Sequence, residues 1–314
     1  MGLTRDEAAS YFLSCKLCPR SCRVNRFEHR GRCQVGASLK LARAALHFWE
    51  EPCISGKRGS GAVFFSGCSL GCAYCQNASI SDGKAGKEIS PERLTEIFLE
   101  LESQGAHNIN LVTAAHYVPW VVYSLTEAKK RGLSIPVVYN SSGYESLEAL
   151  RLLDGLVDIY LPDLKYADPA LAKALSGAED YPEVALSAIR EMLRQCGQPI
   201  FDAEGMLKRG TMIRHLVLPG HTKNSKQVLA SLSEHFGSGL YLSLMNQYTP
   251  MEGKEGSRLQ SVLSWYPELS RKVTEREYEK VLDYAFTLGF TQGFFQEGDV
   301  AKESFIPAFD GEGV

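Results

Sequence analysis

The chain has 314 residues, 34 Lys and Arg against 37 Asp and Glu, a formal charge of −3, and 44% hydrophobic and 23% charged residues. That balance excludes wholesale disorder and gives no global field to hold polyanions, and the sequence contains no apolar run long enough to span a membrane. Its opening, MGLTRDEAAS, places Arg5, Asp6 and Glu7 where a secretion signal needs apolar residues, and Asp6 where a myristoylation signal wants Ser or Thr. A cytoplasmic protein is expected.

In chain order, the first sixty residues stand apart. They hold Cys15, Cys18, Cys22 and Cys33, with Arg and Gly between and little hydrophobic periodicity, and they read as a Cys-rich metal-binding appendage, residues 1–60. From Gly61 onward, apolar runs alternate with amphipathic stretches. Strands are predicted at 62–65, 109–113, 135–139, 157–161, 212–218 and 240–244. Helices are predicted from the Ser90-Pro91 start through 101, then at 120–130, 147–153, 170–175, 183–195 and 225–236. Six β-then-α units over 61–250 imply an α/β fold with a parallel sheet, either open or closed into a partial barrel. In both, the site lies at the C-terminal ends of the strands. Residues 251–314 read as a helical extension and a tail, of which 297–314, rich in Gly and acidic residues, is expected to be partly loose.

Nine cysteines are the chemical anomaly. A chain of this size in a reducing compartment does not need disulfides, and seven of the nine fall in two tight groups, as metal ligands do. Cys53 and Cys196 have no such neighbours and read as buried small hydrophobes. The central group, Cys68, Cys72 and Cys75, follows the first predicted strand as C-x3-C-x2-C on a loop containing Gly67 and Gly71. Three thiolates can hold three corners of a cubane iron–sulfur cluster, and the missing fourth ligand leaves one iron open. A structural zinc would need that fourth ligand close by. The amino-terminal group has all four, so structural zinc and an auxiliary iron–sulfur cluster are both admitted by its spacing. Lys16, Arg20, Arg23, Arg26, Arg30 and Arg32 surround it. They suit a solvated face, a docking face for an acidic electron donor, or a nucleic-acid knuckle. The absence of a basic groove interleaved with aromatics argues against the last.

The central motif, with Tyr74 just before its last cysteine and its place after the first strand, resembles the radical S-adenosylmethionine superfamily. Four further stretches narrow the resemblance to the uncharacterised branch related to pyruvate formate-lyase activating enzymes: RAALHFWEEP over 43–52, GAHNINLVT over 105–113, VVYNSSGYE over 137–145 and IRHLVLPG over 213–220. The resemblance implies a partial (β/α)6 barrel, a [4Fe–4S] cluster on Cys68, Cys72 and Cys75, and S-adenosylmethionine bound at the open iron. Reduction would then yield a 5′-deoxyadenosyl radical that abstracts hydrogen. The activating enzymes carry a Gly-Gly-Glu-Pro turn after the second strand. Here that place reads Thr113-Ala114-Ala115-His116, so Thr113 or nearby backbone must receive the cofactor amine, and His116 is either a polar site group or an exposed loop residue.

Asn140-Ser141-Ser142-Gly143 stands where the family has Asp-Thr-Asn-Gly, and Asp163-Leu164-Lys165 matches its Asp-x-Lys. By resemblance, Asn140, Ser141, Asp163 and Lys165 line the cofactor carboxylate and ribose, and Asp163 helps hold a monovalent cation. A plain salt bridge is the alternative for Asp163 and Lys165. Arg214 suits carboxylate recognition if it points inward and is an edge arginine if it does not. Met245, Asn246, Gln247 and Tyr248 are placed to complete an adenosine pocket. The implied partners are a protein or peptide substrate and a flavodoxin- or ferredoxin-type donor, with no membrane. Alternatives are a radical enzyme modifying a small metabolite and a nucleic-acid-binding metalloprotein. Spacing and motif assign no catalytic residue beyond the ligands.

Overall fold

The computed structural model describes residues 2–252, 258–296 and 307–314. Ten strands occur among them: β1 (Leu39–His47), β2 (Ser60–Phe65), β3 (Lys87–Ile89), β4 (Ile109–Val112), β5 (Val137–Ser141), β6 (Ile159–Pro162), β7 (Ile200–Phe201), β8 (Leu207–Leu216), β9 (Tyr241–Met245) and β10 (Gly293–Phe295). Their order across the sheet is β10-β9-β8-β6-β5-β4-β2-β1-β3, with β7 beside β8. The seven strands from β2 to β10 in that order run parallel, while β1 and β3 extend the sheet antiparallel. Among the described residues no pairing joins β10 to β1 or β3, so the barrel is partial.

All residues of β2, β4, β5 and β6 are buried, as parallel strands covered on both faces require. The helix Pro91–Ser103 starts where Ser90 accepts the Arg93 N–H and Pro91 fills the first turn. It buries Leu94, Ile97, Phe98 and Leu101, one face at helical spacing, and packs against the helix Val118–Lys130, whose Ser124 hydroxyl donates to the Pro91 carbonyl at 2.8 Å. Farther along, Asp168 caps the helix Pro169–Ser176, which ends at Gly177 in the left-handed conformation (φ +61°). That ending presses Ser176 against the loop after β2.

The first sixty residues divide in two. Residues 39–47, within the segment expected to form the appendage, belong to the sheet as β1. That segment buries Ala8, Phe12, Leu17, Val35 and Ala37 in the core of the β4–β5 half, so its fold rests partly on apolar packing. Phe12 stacks on Trp120 with ring centroids 5.4 Å apart, and Arg26, 1% exposed, lies over the Phe12 and Tyr117 rings and donates to the carbonyls of His116 and Gly36.

At the other end, the extension contributes the helices Arg258–Trp265 and Glu275–Thr287, and β10 adds a parallel strand that was not foreseen. Of the tail expected to be partly loose, residues 297–306 lie outside the described residues. Residues 307–314 run along β1 instead of hanging free. Ala44 donates its N–H to Glu312, Gly311 donates to Ala42, and Arg43 pairs with Asp310 and Glu312. No helix among the described residues is long and apolar enough to cross a membrane.

Candidate active site

The C-terminal ends of β2, β4, β5, β6, β8 and β9 converge on one cleft with a cavity volume of about 250 Å³. Cys68, Cys72, Cys75, Thr113, Asn140, Ser141, Asp163, Lys165 and Arg214, all singled out from the sequence, line it together with Met245 and Gln247. Tyr248 is buried behind them, its ring 6.1 Å from that of Tyr74.

The cysteine loop is held open by its glycines. Gly67 and Gly71 take φ of +87° and +64°, and a Cβ on Gly67 would lie 2.6 Å from the Cys33 carbonyl oxygen. Leu70 and Tyr74 anchor the loop in the core of the β8–β9 half. Ser176 donates to the Cys72 thiol at 3.1 Å, and the Gly71 N–H to the Cys68 thiol at 3.4 Å. Burial pushes the Cys75 thiol up to about 12 and raises Cys68, while the nearby Lys165 ammonium pulls both down by less. Three soft donors on one loop, facing a cleft, fit a cubane cluster with an open corner.

Opposite the loop is a buried ion network. Arg214 Nε donates to Asp163 Oδ1 at 3.0 Å, Nη1 to Glu50 Oε2 at 3.3 Å and Nη2 to Asn140 Oδ1 at 2.6 Å. Lys165 Nζ reaches Asp163 Oδ2 at 2.6 Å. Glu50 also accepts from the side-chain amides of Asn110 (3.2 Å) and Asn140 (3.1 Å). Burial alone would raise the Asp163 carboxyl, but Arg214 and Lys165 outweigh it and hold it below the usual carboxylate range. Asn140 and Asn110 add hydrogen bonds to Arg214 and Glu50, and Arg214 also interacts with the Glu51 carboxyl, which burial raises, so the cations and carboxylates offset one another's burial. Arg214 is therefore an inward arginine, and Asp163 and Lys165 are ion-paired at the cleft wall.

At the end of β4, Thr113 adopts a left-handed backbone (φ +62°), strained for a Cβ-bearing residue, and its N–H is held by the Asn140 carbonyl at 3.0 Å. His116 does not reach the cleft, nor is it the exposed residue that the alternative reading required. It is 1% exposed, with Nε2 2.8 Å from the Ser66 carbonyl oxygen, and burial, aided by Arg26, brings its pKa down to about 3. A short 3-10 turn (Ala115–Tyr117) carries the ring inward against the loop after β2.

Sequence reasoning missed three groups. Glu50, His47 and Trp49 line the cleft from the end of β1 and just beyond it, within a stretch whose resemblance was visible but whose strand was not. Glu145 lies behind Ser141, accepting from its hydroxyl at 2.5 Å and from the Tyr139 hydroxyl at 3.1 Å, and burial raises its pKa to about 7. Pro307 lines the cleft from the docked tail.

The amino-terminal cysteines lie about a small turn in which the Cys15 N–H donates to the Val24 carbonyl and the Arg23 N–H to the Cys15 carbonyl. Cys15, Cys18 and Cys33 are buried, and the Arg32 N–H points at the Cys22 thiol, 3.3 Å away. Burial, together with repulsion from Cys33, Cys15 and Cys22, pushes the Cys18 thiol up to about 12. As free thiols, neither group draws three ligands to metal-binding distance, and no other His, Cys, Asp or Glu set among the described residues does so. Ligation would need the thiols deprotonated and drawn closer together. Cys53 and Cys196 are buried and apart from both groups, as small hydrophobes are.

The family model described as the Radical SAM superfamily matches residues 62–232, which span the cysteine loop and β2 through the helix after β8. The chain belongs to the radical SAM superfamily. A relative from Methanocaldococcus jannaschii, itself described as an uncharacterized protein, is 29% identical over 294 residues, covering 91% of this chain and 78% of its own. Among solved structures, Streptococcus suis SuiB bound to S-adenosylmethionine aligns with a TM-score of 0.50 at 13% identity over 74% of this chain. This chain spans about half the length of SuiB (49%), and the likeness is one of fold.

Proposed function

We propose that this protein is an iron–sulfur enzyme in which Cys68, Cys72 and Cys75 hold a [4Fe–4S] cluster beside S-adenosylmethionine, and that it removes hydrogen from a protein or peptide. When bound and reduced, that pair supplies a 5′-deoxyadenosyl radical. One observation carries the reading: three thiols of a single loop share one cleft at the strand ends with an ion-paired Asp163–Lys165–Arg214–Glu50 network.

The side chains have separable tasks. Thr113, with its left-handed backbone, lines the cleft at the end of β4 and would receive the cofactor amine. Ser141 and Lys165 are positioned for the carboxylate and ribose, and Asp163 for ribose or a monovalent cation. Arg214 is already engaged by Asp163, Glu50 and Asn140, so its task is to fix those groups in place. Leu70, Tyr74 and Tyr248 are buried beside the cysteine loop and would shield one side of a cluster held there from water. A second metal centre, on Cys15, Cys18, Cys22 and Cys33, is part of the same proposal, as is an acidic flavodoxin- or ferredoxin-type donor.

The macromolecular substrate is favoured by the mouth of the cleft. Trp49, which lines the cleft, is 56% exposed, so an apolar ring on its wall is open to an approaching chain. The test is anaerobic turnover with a strong reductant and S-adenosylmethionine, scored by 5′-deoxyadenosine release. The rate should rise with a protease-sensitive macromolecular fraction of a cell extract. Stimulation by the low-molecular-mass filtrate alone would replace this substrate class with a small metabolite.

A further inference from the structure

The six basic residues among the amino-terminal cysteines read from sequence as solvated or as a docking face. Arg20 is neither. It lies between Cys18 and Cys22, inside the four-cysteine group, yet its guanidinium turns to the central cysteine loop. Nε donates to the Ser69 carbonyl at 3.1 Å and Nη2 to the Leu70 carbonyl at 3.5 Å, both between Cys68 and Cys72. Nη2 also reaches the Ser176 carbonyl at 3.0 Å, and Nη1 the Gly177 carbonyl at 2.5 Å. Ser176 is the residue whose hydroxyl meets the Cys72 thiol. The stem is fixed in turn by the Tyr144 ring, 5.0 Å below the guanidinium.

Other contacts tie the same two segments. Gly67, one residue before Cys68, lies so close to the Cys33 carbonyl that no side chain fits between them. From the far side, Arg258 donates to the Gly71 carbonyl at 2.7 Å. Three consecutive carbonyls of the ligand loop, Ser69, Leu70 and Gly71, are thus held by guanidinium groups. Carbonyl dipoles at a C-terminal helix end and in a tight loop favour such cations, and five fixed N–H donors let one arginine serve several of them.

Resting on the proposed second metal centre, we infer that this centre is a brace: a thiophilic metal closed by Cys15, Cys18, Cys22 and Cys33 fixes the Cys18–Cys22 turn so that Arg20 holds the Cys68–Cys75 loop in its ligating shape. Arg20 is then a positioning residue for the radical centre, acting from a segment whose sequence shows no link to it. The closed four-thiolate set is suited to structure, since it leaves no open position. Either a single zinc ion or an auxiliary iron–sulfur cluster would close it.

The test uses full-length, anaerobically reconstituted protein. First, elemental analysis of the Cys68→Ala/Cys72→Ala/Cys75→Ala variant isolates the amino-terminal site. Retained zinc, or retained iron with sulfide, that disappears on adding Cys22→Ser supports the brace and names its metal. No retained metal overturns it, whatever the central cluster does. Second, Arg20→Ala in the otherwise intact protein should keep the amino-terminal metal. Amide exchange across 66–77 should speed up by at least about tenfold, the effect of losing one or two net hydrogen bonds. The Ala73 N–H, held by the Leu175 carbonyl at 2.8 Å, is a reporter within that stretch.

The paramagnetic resonance signal of the reduced central cluster should broaden in the same variant, and Arg20→Lys should recover part of both effects. Exchange and spectrum unchanged in Arg20→Ala would overturn the positioning role. A wild type that takes up no central cluster would instead remove the radical reading, leaving the first measurement to judge the brace on its own.

Discussion

Replacing Glu145 with Gln tests the electrostatics behind the cleft. The Glu145 carboxyl is 3% exposed, and burial raises its pKa from 4.5 to about 7, with the Ser141 and Tyr139 hydroxyls offsetting part of that rise. Between those two pH values the folded chain keeps the proton that the unfolded chain has lost. The contribution of Glu145 to stability is therefore full below about pH 4.5 and is lost as pH rises through about 7. At 1.36 kcal/mol per pKa unit, the interval corresponds to about 3 kcal/mol. Gln has no proton to lose. Urea unfolding of both proteins across this range should show the variant gaining about 3 kcal/mol on the wild type as pH rises. A pH-independent difference, or a variant that loses ground with rising pH, would refute the claim that burial dominates at this carboxyl.

Arg214→Ala should cost about 3–5 kcal/mol in chemical denaturation, because it leaves Asp163 and Glu50 buried without their shared cation. Arg214→Lys should recover only part, since a single ammonium cannot serve Asp163, Glu50 and Asn140 at once. His116→Gln should lose less stability than the wild type on acidification, because a histidine whose pKa falls from 6.5 to about 3 on folding contributes stability above 6.5 that is lost as pH falls; equal losses in parallel denaturation curves would count against this. Gly143→Ala should destabilise by more than about 1 kcal/mol in thermal unfolding, since its backbone is left-handed (φ +77°) and a methyl would meet the Asp163 carbonyl.

Six of the seven parallel strands were legible, β2, β4, β5 and β6 most plainly, because each of those four is a run covered on both faces, which leaves a hydrophobic signature. β1 was not, since Lys40 and Arg43 interrupt it and it follows a segment dominated by cysteine, arginine and glycine. β10 is three residues long and carries no signature at all. In the site, the cysteines were legible from spacing, and Asp163, Lys165 and Arg214 from resemblance. Glu50 acquires its meaning only from Arg214, 164 residues away, and Arg20 only from carbonyls about 50 and 156 residues away. His116 illustrates the converse. A loop histidine and a fully buried one look alike until Arg26 and the turn over Ala115–Tyr117 are placed around it.

The central claim is that Cys68, Cys72 and Cys75 hold a cluster with one iron open to S-adenosylmethionine. Paramagnetic resonance of the reduced, reconstituted protein, recorded with and without S-adenosylmethionine, tests it most directly. The account predicts a [4Fe–4S]⁺ signal whose g values move on adding S-adenosylmethionine and which vanishes in the Cys68→Ala/Cys72→Ala/Cys75→Ala variant. A signal indifferent to S-adenosylmethionine, or one that survives the triple replacement, would contradict it.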